Sequence, residues 1–145
     1  MLLTFAAFFF VLSIVVFVHE FGHFAVAKLN RIYVVTFSFG FGPKLLKKKV
    51  GETEYALSAL PFGGYVKFAG EPGEGDGDGG ELPGGVVVAP ERMYRNRPAL
   101  ARMSVVLAGP VMNFILALLV YVFGLYAEGI YVNPNTAISG IDSAS

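Results

Sequence analysis

The sequence predicts an α-helical membrane protein in which two transmembrane helices flank a small, membrane-associated β hairpin or sheet on the cytoplasmic side. Three observations lead to this fold class. Hydrophobic residues make up 54% of the 145-residue chain, and charged residues only 15%. The apolar residues concentrate in two long runs. All eleven Lys and Arg residues lie between these runs, from Lys28 to Arg102.

The first transmembrane helix is predicted over residues 1–28. At about 1.5 Å per residue, the run reaches roughly 40 Å, which is enough to cross the hydrocarbon core with some tilt. A cleavable signal peptide is the alternative, because Ala25-Val26-Ala27 resembles a cleavage site. The lack of a basic amino-terminal region and the basic segment that follows favour the transmembrane helix.

The segment from 29 to 69 is predicted to form short, membrane-associated β-strands. Three strand candidates are Tyr33–Phe39, Glu54–Leu60 and Tyr65–Ala69. The first is expected to end at Gly40–Pro43, and Pro61–Gly64 is expected to join the other two. Together they indicate a small antiparallel sheet or hairpin.

The segment from 70 to 98 is predicted to be a mobile acidic loop followed by a basic stretch before the second helix. Between Gly70 and Gly85 there are eight glycines, five acidic residues and two prolines. Such a composition buries too little apolar surface to offset its ordering entropy. Asp76–Gly80 resembles a calcium loop but lacks the distal glutamate of an EF-hand, which favours a solvated loop.

The second transmembrane helix is predicted over residues 99–127. Orientation follows from the basic residues, because short loops rich in Lys and Arg stay on the cytoplasmic side of a membrane. Residues 28–102 carry eleven basic and eight acidic residues. We therefore expect this segment in the cytoplasm and both termini outside, with residues 128–145 forming an outer segment.

Three titratable residues, His19, Glu20 and His23, interrupt the end of the first apolar run. Residues four apart share a helix face, so the two imidazoles can converge on one ion while Glu20 is offset by about 100°. The chain has no cysteine, so any metal must be held by His, Asp or Glu. Two neutral imidazoles suit Zn²⁺, and a nearby carboxylate can move a proton from an activated water to the leaving amine.

Three motifs together resemble one protein family. They are HEFGH at 19–23 in the first helix, ALPFGGYVKF at 59–68 in the β region, and AGPVMNF at 108–114 opening the second helix. In this order they resemble the site-2 proteases, a family of intramembrane zinc metalloproteases, and are most similar to its bacterial RseP-like branch. The resemblance covers nearly all of residues 1–127.

The resemblance implies a role for each matching position. His19 and His23 would hold one catalytic Zn²⁺, and Glu20 would be the catalytic acid and base. The β element would present an edge to an extended substrate, because a helical peptide bond is shielded until it is unwound. Its substrate-contacting residues would be Gly63, Gly64, Tyr65 and Val66.

Asn113 also matches a family position. Gly109 and Pro110 are expected to permit close helix packing and a local kink. Asn113 would then bond either to a neighbouring helix or to unwound substrate backbone, and the structural role is favoured.

The chain departs from the family pattern in its metal ligands. A catalytic zinc needs three protein ligands. The family's third ligand is an aspartate in a later helix, within a Leu-Asp-Gly-like motif that does not occur here. Asp142 follows the second helix on the expected outer side. The last residues resemble the approach to a PDZ domain, which implies the amino-terminal part of a longer protease, inactive alone.

The resemblance also implies the setting and the partners. The protease would reside in the bacterial inner membrane as a multi-pass protein and cleave transmembrane segments in regulated intramembrane proteolysis. Expected partners are the lipid bilayer, a single-pass membrane-protein substrate, and the downstream PDZ domain and helices, but not nucleic acid.

Two other functions remain open from the residues. One is a non-catalytic two-helix membrane adaptor whose histidines only form hydrogen bonds. The other is a soluble zincin held by a membrane anchor, which is disfavoured because the motif lies inside the apolar run. An ionisable residue at the bilayer centre costs about 2.5–3.5 kcal/mol on insertion scales, which favours a compensating metal over a purely structural polar pair.

Overall fold

The computed structural model describes residues 1–71, 81–82 and 85–128. The regular elements are α1 (Leu2–Leu29), β1 (Val34–Val50), β2 (Thr53–Phe68), β3 (Glu81–Leu82), β4 (Val86–Val87) and α2 (Ala99–Glu128). Two short 3₁₀ turns, Pro90–Arg92 and Tyr94–Asn96, lead into α2. The expected order of two long apolar helices around an antiparallel strand pair is confirmed.

α1 forms because its sequence offers no interruption. It contains neither glycine nor proline before Gly22. At its end the Asn30 side-chain amide donates to the Val26 carbonyl at 2.9 Å. Lys28 lies in the last turn, where a cation offsets the helix dipole. Arg31 then takes a φ of 55°, and this left-handed residue turns the chain towards β1.

Both helices have the length and composition to cross a membrane. α1 has 28 residues and α2 has 30, which correspond to about 42 and 45 Å at 1.5 Å per residue. None of the most apolar stretch of α1 is buried within the protein, and only 17% of that of α2. Phe8, Phe10 and Phe114, for example, are exposed. A core helix of a globular domain would bury such residues.

β1 and β2 pair antiparallel, but both bend, so that four segments lie side by side. Residues 36–39 pair with 64–67 on one side and with 54–57 on the other. Residues 54–57 pair in turn with 46–49. The outer segments are therefore those that contain 46–49 and 64–67, and within the described residues no further strand pairs with either.

Two of the predicted turns lie inside strands. Gly40–Pro43 is part of β1, and Pro61–Gly64 is part of β2. The glycines still bend the chain, because Gly40, Gly42 and Gly63 have φ values of 87°, 86° and 103° and the register shifts nearby. Turn residues cause bends here rather than chain reversals, because strand pairing continues on both sides of them.

The core lies where α1, the sheet and α2 meet. Its buried side chains are Ala27, Ile32, Val34, Phe68 and Val105. A second cluster buries Leu82 and Val88 against Tyr33, Ala69 and Met93. Part of the stretch expected to be a mobile loop is therefore packed. Residues 72–80 and 83–84, including Asp76–Gly80, lie outside the described residues.

The sheet lies along α1 over much of its length. Near the turn between β1 and β2, Glu52 binds Lys28 at 2.6 Å. At the far end, Ser13 Oγ donates to the Pro61 carbonyl at 2.6 Å, and the ring centroids of Phe9 and Phe62 are 4.5 Å apart. From residue 9 to residue 28 the helix extends about 28 Å. The glycine-rich part of β2 consequently runs beside the middle of α1, where the His-Glu cluster lies.

Candidate functional site

The two histidines share one face of α1 and contact α2. Their ring centroids are 4.7 Å apart, with ring planes at 81°. His23 Nδ1 lies 2.7 Å from the Val105 carbonyl oxygen, and His19 Nδ1 lies 3.1 Å from the Asn113 side-chain amide. α2 therefore holds the Nδ1 atom of each ring. Each Nε2 atom is left for another partner, as in metal-binding histidines.

Gly109 of α2 lies opposite the two Nε2 atoms. A Cβ added at this position would be 2.5 Å from His23 Nε2 and 2.6 Å from His19 Nε2. Both distances are far below van der Waals contact. The two nitrogens therefore converge on one small volume, which exists because residue 109 has no side chain.

A second glycine allows the helices to come this close. A Cβ on Gly22 would lie 2.5 Å from the Ala108 carbonyl oxygen and 2.7 Å from Met112 Cγ. Gly22 lies between the two histidines in sequence, so the contact that packs α1 on α2 also brings both imidazoles to Gly109. α2 continues as a helix through Pro110.

Glu20 faces the sheet rather than α2. The backbone N–H of Val66 lies near the Glu20 carboxylate, and a Cβ on Gly64 would lie 3.6 Å from Glu20 Cγ. Val66 pairs with Phe37 on the other side of its strand. The outer edge of β2 is thus directed at the carboxylate, because neighbouring backbone groups of a strand point alternately to its two edges.

The predicted substrate-contacting residues divide into two pairs. Gly64 and Val66 border Glu20, as described above. Gly63 and Tyr65 meet Phe41 instead: a Cβ on Gly63 would lie 2.5 Å from a Phe41 ring atom, and the rings of Phe41 and Tyr65 stack with centroids 6.3 Å apart. That these four residues bind substrate stays a prediction.

Asn113 bonds to a residue of the neighbouring helix, which is one of the two roles expected for it. Its partner is His19, 94 residues earlier in the chain, and its Oδ1 atom is buried without a hydrogen-bond partner among the described residues. The partner of His23 is the Val105 carbonyl. The sequence gives no signal for this contact, because every residue carries a backbone carbonyl.

The residues present fit a zinc ion in part. Imidazole nitrogens are common zinc ligands, and His23 Nδ1 must carry the proton because a carbonyl oxygen only accepts. In the neutral ring, His23 Nε2 therefore carries a lone pair that is available to a metal ion. The described residues contain no cluster of three or more His, Cys, Asp or Glu side chains suited to a metal. Asp142 lies outside them.

Charged residues of the sheet connect it to the basic end of α1. Glu52 forms ion pairs with Lys28 at 2.6 Å and with Arg92 at 2.8 Å. Partial burial opposes ionisation of Glu52, but these two cations outweigh it and hold its pKa below the ordinary value. Lys44 binds Glu54 on the same sheet, and the hydrogen bond from Lys44 lowers the Glu54 pKa.

The fold and the site together indicate a class of protein. Two long apolar helices cross at a pair of histidines on α1, and a carboxylate on the same helix lies beside a strand edge that has no partner among the described residues. An H-E-x-x-H motif on a helix in this arrangement is typical of zinc peptidases.

Comparison with known proteins identifies the family. The sequence profile of Peptidase family M50 matches residues 7–144, so the chain belongs to this family, the site-2 proteases. A protein of Clostridium perfringens that carries the provisional name zinc metalloprotease is 44% identical over 87% of the chain. Similarly named proteins of Synechocystis and Brucella suis are each 38% identical, over 93% and 98% of the chain. The matched region is 34%, 35% and 38% of these three relatives, so the chain spans about a third of their length.

Proposed function

We propose that this chain supplies the first part of the active site of an intramembrane zinc metalloprotease. The observation that carries the proposal is the convergence of His19 Nε2 and His23 Nε2 on one volume, with Glu20 on the adjacent helix face against a strand edge. Membership of the M50 family and the zinc metalloprotease names of the relatives support it.

His19 and His23 are the residues that would hold the zinc ion. When bound, zinc supplies Lewis-acid activation of a water molecule near neutral pH. Glu20 accepts a proton from the attacking water as the new C–O bond forms. It returns that proton to the amide nitrogen as the C–N bond breaks, so that a carboxylic acid and an amine form, and the acid proton then passes to the amine. The family's third ligand would come from a later segment of the full-length protein.

The substrate in this proposal is a transmembrane segment that has locally left its helical conformation. An extended segment can pair with the outer edge of β2 at residues 64–66, which gives its backbone groups hydrogen bonds in the absence of water. The Val66 N–H, which lies near Glu20 in the free protein, would then bind a substrate carbonyl. This pairing would bring the substrate backbone next to the Glu20 carboxylate that transfers the proton.

The setting is a bacterial inner membrane with α1 and α2 as spanning helices. Their exposed apolar surface would be costly in water, and the basic residues from Lys28 to Arg102 favour the cytoplasmic side for the segment between them. The remaining partners would be a single-pass membrane-protein substrate and the downstream PDZ domain and helices.

The test replaces the proton carrier in the full-length protein. Glu20→Gln is expected to lower cleavage of a membrane-embedded reporter by about 10²–10⁴-fold, the usual contribution of general acid–base catalysis. Zinc content, measured by mass spectrometry of the purified protein, should not change. Glu91→Gln is the matched control, because Glu91 is an exposed carboxylate in the 3₁₀ turn at Pro90–Arg92.

Unchanged cleavage by the Glu20→Gln protein would contradict the assigned role. Absence of zinc from the intact wild-type protein, together with full cellular function of His23→Ala, would favour the two-helix adaptor instead.

A further inference from the structure

The two imidazoles are held at Nδ1 by partners of different kinds. His23 contacts a backbone carbonyl, which can only accept a hydrogen bond, so its Nδ1 carries the proton and Nε2 is bare. His19 contacts a side-chain amide, which can offer either a donor or an acceptor. The state of His19 therefore depends on which end of the Asn113 amide faces the ring.

One orientation of this amide conflicts with metal binding. If Nδ2 faces the ring, it donates to His19 Nδ1, and a neutral imidazole must then carry its proton on Nε2, the atom that faces Gly109.

The reverse orientation removes the conflict. A half-turn of the amide exchanges its oxygen and nitrogen without moving any other atom. Oδ1 then accepts from His19 Nδ1–H, and Nε2 of His19 is bare like that of His23. The amide N–H groups are left open to an acceptor from outside the described residues.

We propose that Asn113 is a positioning residue that holds His19 in the tautomer with a proton on Nδ1, by accepting a hydrogen bond through Oδ1. The inference rests on the proposed function, because the tautomer matters only if His19 Nε2 binds a metal. Partners of this kind fix the ring orientation and tautomer of metal-binding histidines.

The experiment measures zinc affinity in the full-length protein by competition with a chromogenic chelator. Asn113→Leu removes the acceptor and should weaken binding by about 10–100-fold, the usual loss for such a partner. Asn113→Asp keeps an acceptor and has no N–H, so it should bind zinc within a few-fold of wild type. Asn30→Leu is the control, because it also removes a side-chain bond between the helices, to Ser104 at 3.2 Å, and should leave zinc affinity unchanged.

A second measurement reads the tautomer directly. In the metal-free protein labelled with ¹⁵N-histidine, the His19 signals are assigned by their absence in His19→Gln. Wild type and Asn113→Asp should show His19 protonated on Nδ1, whereas Asn113→Leu should show a mixture or the other tautomer. This measurement does not require bound zinc or catalysis.

The outcomes separate the two proposals. If wild type binds zinc and Asn113→Leu binds it equally tightly, the role of Asn113 is overturned and the proposed function stands. If Asn113→Asp loses as much affinity as Asn113→Leu, the amide N–H matters instead, and the inference is overturned. If Asn113→Leu does not fold, the zinc affinity of Asn113→Asp and the His19 tautomer of the wild-type protein still test the inference. Absence of zinc from wild type would overturn the proposed function itself.

Discussion

Two of the places where polar side chains attach α1 to the rest of the protein differ in burial. At the helix crossing, His19 and His23 contact α2, and neither Gly22 nor Gly109 has room for a methyl group. At the basic end, Lys28 and Arg92 bind Glu52, and these side chains are 24–36% exposed. The first attachment is limited by backbone contact, whereas the second consists of flexible side chains near water.

The two attachments therefore contribute differently. The helix crossing positions the two histidines, whereas the ion pairs at the basic end only hold α1 against the sheet. Closely packed backbone cannot relax around an added atom, so small changes at the crossing should be costly. Exposed ion pairs contribute about 0–1 kcal/mol each and tolerate rearrangement. We therefore expect one-atom changes at the crossing to affect zinc binding and stability strongly, and removal of a charge at the basic end to have little effect.

Gly109→Ala should have the largest effect. Its Cβ would lie within 2.6 Å of both Nε2 atoms, so zinc affinity in the full-length protein should fall by more than about 100-fold, beyond the usual cost of losing an outer partner. Chelator competition measures the loss. Gly124→Ala on the same helix is the control, because a Cβ there meets nothing within 4 Å. Equal zinc affinity of the two variants would contradict the convergence of the histidines on this volume.

Gly22→Ala should come next. Its Cβ would lie 2.5 Å from the Ala108 carbonyl oxygen, which forces the helices apart and should lower the free energy of unfolding by about 1–3 kcal/mol. Unfolding in detergent, followed by circular dichroism, measures this. Gly124→Ala is again the control and should be neutral or slightly stabilising, since alanine favours the helix. An unchanged free energy of unfolding for Gly22→Ala would contradict the close contact of the two helices at this position.

Glu52→Gln should have a smaller effect, about 1 kcal/mol of unfolding free energy at neutral pH, because it removes two partly exposed ion pairs. The folded-state pKa of Glu52 lies below its unfolded value of 4.5. Its contribution is therefore complete above about pH 4.5 and is lost as the pH falls through the folded-state pKa. Stability measured from pH 7 down to pH 3 should show the wild type and the variant converging in acid. A difference in unfolding free energy between the two proteins that stays constant from pH 7 to pH 3 would contradict the assigned contribution of ionised Glu52.

Lys44→Gln should have the smallest effect, below about 0.5 kcal/mol, because the ion pair with Glu54 joins two parts of the same sheet at its surface. The same unfolding assay at low and high salt measures it. A loss above about 1 kcal/mol would contradict the view that surface ion pairs of this protein contribute little.

Local patterns predicted more of the helices than of the sheet. Both apolar runs were placed within two residues of α1 and α2, since length and composition alone produce such helices. The strands were predicted too short at Gly40–Pro43 and Pro61–Gly64, because glycine and proline signal a turn whether the chain reverses or only bends. The burial of Leu82 was missed, because its partners Tyr33 and Met93 are distant in sequence.

The sequence by itself determined which residues could hold a metal: His19 and His23 are four apart on a helix, and helical periodicity places them on one face. Only the tertiary structure decided that this face meets Gly109, that Val105 and Asn113 hold the rings, 82 and 94 residues along the chain, and that Glu20 faces the edge of β2. The reason is physical. Periodicity is a property of neighbouring residues, whereas the partner of a ring nitrogen depends on how closely two helices cross, and that distance is set by the glycines on both.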